Sequence, residues 1–113
     1  MEDLSETKDP DSAAADDGGN GQVQRLTPGM TGRWLVFTQR SVHVWDLHRF
    51  TYARRPGQGS QPFAWDAVEA PIWEIRAWPE VGGTFLVYFE DPADPSQVQW
   101  RMSSRIRRIE PDE

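Results

Sequence analysis

From residue 33 onward, apolar and polar positions alternate in short runs. In Arg33–Leu47, RWLVFTQRSVHVWDL, Trp34, Val36 and Thr38 alternate with Leu35 and Phe37. Val42, Val44 and Asp46 then alternate with His43, Trp45 and Leu47. Aromatic and β-branched residues over such short runs favour strands. The polar break Gln39-Arg40-Ser41 predicts a hairpin between them. In this reading the two tryptophans of the hairpin are core residues.

The next segment is harder to read. Phe50 and Tyr52 extend the second strand, and ARRPGQGSQP (Ala53–Pro62) has loop composition. Phe63 and Trp65 alternate briefly before a turn at Asp66–Pro71. The clearest alternation is IWEIRAW, which sets Trp73, Ile75 and Ala77 against Glu74 and Arg76. After the turn PEVGG, Phe85, Val87 and Phe89 oppose Leu86 and Tyr88. After the turn Asp91–Ser96, Val98, Trp100 and Met102 oppose Gln99 and Arg101. These three strands form a meander, and the pattern predicts that Trp73, Phe85 and Trp100 face one core. A Ser103-Ser104 break and a short closing strand holding Ile106 and Ile109 end the chain. No stretch has sustained helical periodicity with caps.

The expectation is an all-β fold, a small barrel or sandwich of five or six strands. The meander, serine-containing turn and brief apolar strand over Asp91–Ile109 resemble the end of an SH3-like chain. That resemblance implies an SH3-like barrel architecture and carries no function.

Composition divides the chain. Residues 1–32 hold seven acids and two bases, net −5; residues 33–113 hold eleven acids and ten bases, net −1. All six tryptophans follow residue 33. The early segment lacks apolar periodicity and cannot bury enough surface to offset its ordering entropy. Residues 1–29 are therefore expected to be a disordered acidic tail, with Leu4, Val23 and Leu26 too scattered to dock, and 30–113 a single β domain. Absence of cysteine excludes disulfides and thiolate zinc sites. No apolar run spans a membrane and no apolar leader segment is present, so the expected location is cytoplasmic. Eleven arginines against one lysine suggest a bacterial source with a genome rich in G and C.

Local chemistry is sparse. Ser41 and His43 share a strand face but sit roughly 7 Å apart, and Asp46 faces away, so they make no nucleophile triad. His43, Asp46 and His48 fail as metal ligands because His43 and His48 fall on opposite faces. Glu74, Glu90 and Asp91 could meet across adjacent strands, but Glu74 reads as a cross-strand charge pair with an arginine such as Arg101 rather than as one of two catalytic acids. DPADP lacks the glycine and distal glutamate of a calcium loop, and Gly82-Gly83 is no phosphate cradle. No catalytic residue, metal site or cofactor is expected.

Two features remain. Trp34, Trp45, Trp73 and Trp100 fall on expected core faces, whereas Trp65 and Trp78 lie beside loops, where indoles anchor partners. Arginines cluster at Arg54-Arg55 and at Arg101, Arg105, Arg107 and Arg108. The expected function is a non-catalytic protein-interaction or regulatory module whose partner contacts Arg54, Arg55, Trp65 and Trp78. The alternative is a nucleic-acid-binding barrel using Arg101, Arg105, Arg107, Arg108 and exposed tryptophan. The near-neutral body and acidic tail weigh toward the first.

Overall fold

A computed structural model describes residues 21–57, 62–63 and 65–112. It holds seven strands: β1 (Arg33–Phe37), β2 (Ser41–Asp46), β3 (Thr51–Pro56), β4 (Ala70–Ala77), β5 (Leu86–Asp91), β6 (Asp94–Met102) and β7 (Arg108–Pro111). All pair antiparallel in one sheet, in the order β6-β5-β4-β3-β2-β1-β7. The sheet is open, with β6 and β7 at its two ends. Among the described residues no helix is long and apolar enough to cross a membrane.

The expected β1–β2 hairpin is present, with Trp34 opposite Trp45 and Val36 opposite His43. β3 is a strand that the sequence reading had divided between an extension of β2 and a loop. Asp46 makes the missing turn. Its Oδ1 accepts from the N–H groups of His48 and Arg49, and Phe50 takes a positive φ of 59°. Arg54, Arg55 and Pro56 then continue in strand geometry opposite His43, Val42 and Ser41. The Asp91–Ser96 turn is also shorter than expected. Asp91 pairs directly with Asp94, and Pro95 is tolerated because β6 is an edge strand. The closing strand β7 pairs with β1.

β3 and β4 share only two residue pairs, so the sheet bends there and its two halves face each other. Phe85, just before β5, presses edge-on against Trp45 and His43 at ring-centroid distances of 4.9 and 4.8 Å. Phe89 lies 5.5 Å from Tyr52. Such ring pairs add about 0.5–1.5 kcal/mol each beyond simple burial.

Two expectations about the core are corrected. Trp73 and Trp100 do not join Phe85 inside; they are exposed on the outer face, for reasons given below. Val23 and Leu26 do dock. Val23 pairs with Ile109, and Leu26 is fully buried, its N–H donating to the Pro79 carbonyl. Packing thus begins ahead of the boundary expected at residue 30. The rest of the expected tail, residues 1–20, lies outside the described residues.

Candidate functional site

The inner face of β1–β3 changes character along its length. At one end Trp34, Trp45 and Tyr52 line up across the strands; at the other, Val36, His43 and Arg54 do. Apolar packing therefore gives way to polar side chains, and the core opens into a basin of about 250 Å³. Arg40, His43, Arg54, Phe63 and Arg101 line it, with Ser103 and Ser104 at the end of β6.

His43 and Tyr52 lie at the base, with Nδ1 of His43 2.8 Å from the Tyr52 hydroxyl. Arg101 lies within hydrogen-bonding reach of the same phenol oxygen. A guanidinium only donates, so the phenol proton goes to Nδ1 and His43 is the neutral acceptor. Burial, reinforced by Arg54 and Arg101, lowers the His43 pKa to about 3. Burial pushes Tyr52 up to about 12. Neither group carries charge at neutral pH.

Arg54 is only 4% exposed, and its Nη1 donates to both carboxylate oxygens of Asp66 at 2.8 Å. Asp66 Oδ2 also accepts from the Phe63 N–H. Phe63 is held so that Arg54 lies 4.2 Å and Arg101 5.3 Å from its ring centroid. Trp65 and Ala67, flanking Asp66, both have positive φ, a conformation that persists where surroundings over-determine it. The Arg54–Asp66 pair is the tie that holds this loop.

A second depression, of about 400 Å³, is lined by Gln39, Ser104, Arg105 and Arg107 and shares Ser104 with the first. Arg108 lies 3.9 Å over the Phe37 ring and donates to Glu110. Arg55 is exposed on β3 opposite Val42. Seven of the eleven arginines thus gather around one end of β1–β3 (Arg40, Arg54, Arg55, Arg101, Arg105, Arg107 and Arg108). At the opposite end, Arg33 is set among Asp46, Glu69 and Asp112.

The outer face of β4–β6 adjoins this basic end. Ile72 pairs with Phe89 and Glu74 with Tyr88, so Trp73 is an extra residue in β4. Such a bulge puts two residues opposite one and breaks strict alternation. Ile75 pairs with Val87 and Ala77 with Leu86, a second irregularity of the same kind. Ile72 and Ile75 consequently both serve the core, and Trp73 is left outside, 54% exposed. On β6 the expected division of faces holds, but the apolar set faces outward: Trp100 is 61% and Met102 57% exposed. Arg101 takes the inner side, over Phe63 and Phe89. Tyr88 pairs with Trp100 and Leu86 with Met102, giving a continuous apolar strip. Met102 also borders the basin.

Of the residues expected to bind a partner, Arg54 is buried against Asp66 and Arg55 is exposed. Trp65 and Trp78 are both partly buried, with Trp78 packed on the core. Trp65 precedes β4 and Trp78 follows it, so they flank opposite ends of that strand. In the alternative set, Arg101 borders the first depression, Arg105 and Arg107 the second, and Arg108 stacks on Phe37. Sequence reasoning missed Trp73, Trp100 and Met102 as surface residues and Arg40 as part of the basic end; no local signal marks a bulge or selects the buried face of an edge strand. Among the described residues, no three His, Asp or Glu side chains group to hold a metal ion. No protein-family model, curated protein or solved structure matches the chain.

Proposed function

We propose that this protein is a non-catalytic binding module whose working surface joins the apolar strip on β4–β6 to the arginine-lined depressions. The observation that carries this reading is Met102. It is more than half exposed beside Trp100 and at the same time borders the basin of Arg40 and Arg101. Large exposed apolar side chains gathered on one face mark an interaction site. Arginines beside them supply directional donors to carboxylate or phosphate. The surface suits a partner that presents flat or apolar groups and negative charge side by side. The expected role as a binding module is kept in this reading, but its contact residues move from Trp65 and Trp78 to Trp73, Trp100 and Met102.

Photo-crosslinking in the cells that make the protein tests the reading. A photoreactive residue at position 100 or 105 is expected to capture a partner, and one at Glu69 is not. Equal capture from all three positions, or none from 100 and 105, would overturn it.

A further inference from the structure

Resting on that reading, we infer that the ligand is a single-stranded nucleic acid, with bases stacked on Trp73 and Trp100 and phosphates received by Arg40, Arg105 and Arg107. Tyr88 pairs with Trp100 and lies opposite the bulge at Trp73. The two indoles are therefore on strands two spacings apart, about 10 Å, with Tyr88 on the strand between them, where Arg76, paired with Glu74, lies 5.2 Å over its ring. Both are more than half exposed on an open sheet face, which offers a flat ring a flat partner. An indole stacks on any base, because every base has a π-face.

The second half of the surface fits the backbone of the same ligand. Trp100 and Met102 lie roughly 7 Å apart at the end of β6, and Ser104, just beyond the strand, borders both depressions. Arg40, Arg105 and Arg107 are exposed around them. Within this arginine cluster, Arg54 is paired with Asp66 and Arg108 with Glu110. A duplex hides its base faces and loses the indole contacts. Polyphosphate supplies charge without rings. A single strand supplies both, in alternation along one chain.

The test is a fluorescence titration of the full-length protein with an oligothymidylate of about 12 nucleotides. Three phosphate contacts on a single strand predict a salt slope near −2, or about a 20-fold weakening between roughly 50 and 200 mM salt. Trp73→Ala and Trp100→Ala should each weaken binding about tenfold with the slope unchanged and the protein still folded. Arg105→Gln with Arg107→Gln should reduce the slope by about 1.4. Arg49→Gln, in the turn at the other end of β2, should leave it unchanged.

The inference is overturned if the oligonucleotide shows no salt-dependent binding, if the tryptophan variants bind like the parent, or if duplex or polyphosphate binds as tightly as the single strand. If position 100 or 105 still captures a protein in that event, the ligand assignment falls and the binding-module reading stands. If neither position captures anything, both fall.

Discussion

The His43 imidazole and the Tyr52 ring stack at the base of the basin, their centroids 5.9 Å apart and their planes inclined by 14°, while Nδ1 meets the phenol hydroxyl at 2.8 Å. This arrangement requires a neutral His43. In the unfolded chain the imidazole takes a proton near pH 6.5, but in the fold it resists until about pH 3. Between those values the unfolded state holds the extra proton, so its contribution to stability is intact above about pH 6.5 and falls as the pH drops. Urea unfolding should show a loss of about 2–3 kcal/mol from this group between pH 7 and pH 4.5. His43→Gln should be less stable at neutral pH and show a flatter profile across that window. An equally steep profile in the variant would place the pH dependence elsewhere.

Truncations separate the two faces of the meander. Phe85 is fully buried among His43, Trp45 and Tyr52, and Phe85→Ala should cost about 3–5 kcal/mol. Trp73→Ala and Trp100→Ala remove larger side chains but leave no cavity, and each should cost under about 1 kcal/mol. Denaturant midpoints decide the matter. A loss of several kcal/mol at Trp100 would mean that the outer face is covered within the molecule.

Gly57 is a steric requirement. Its N–H donates to the Arg40 carbonyl at 2.6 Å, and a Cβ added there would sit 2.4 Å from that same oxygen. Backbone, rather than a flexible side-chain tip, must move to accept it. Gly57→Ala should destabilise the protein by about 1–3 kcal/mol and alter the environment of Arg40. Thermal unfolding and amide chemical shifts of residues 39–41 provide the readout.

Residues 1–20 hold seven acids and one lysine, net −6, and residues 21–113 hold eleven acids and eleven arginines, net zero. If the ligand is a polyanion, this charge opposes its approach. Removing residues 1–20 should raise affinity for an oligonucleotide about 3–10-fold at low salt, mainly through association rate, with the gain fading at high salt. Stopped-flow titration of both forms measures this. An unchanged association rate would exclude a role for the segment in the encounter.

Much of the fold was legible because strand chemistry is local. The Trp34–Trp45 hairpin, the meander and the closing strand follow from alternation and turn residues within a few positions. The failures have distinct causes. β3 was hidden because Arg54-Arg55-Pro56 has loop composition, while the carboxylate that lets Arg54 be buried, Asp66, lies on the next loop. Leu26 was missed because one apolar residue in a polar stretch carries no period, though its burial is complete. On β6 the grouping of Trp100 with Met102 was right and the choice of face was wrong. Arg101 is drawn inward by Tyr52, Phe63 and Phe89, which come from other parts of the chain. Arginine clustering was visible in the sequence, but Arg40 joined it only through the tertiary structure.

The bulges in β4 make the exposed tryptophan a matter of chain length as much as chemistry. Ile72 and Ile75 both reach the core because an extra residue separates them, and Trp73 is that residue's side chain. The strand can exchange one ring for another on its outer side and keep its packing. Losing a single position between the isoleucines would instead rotate everything on one side of the cut by half a pleat, exchanging buried for exposed side chains. The same surface in another chain is therefore better sought through two aliphatic residues spaced three apart in a strand, with a ring between them, than through tryptophan content or overall composition.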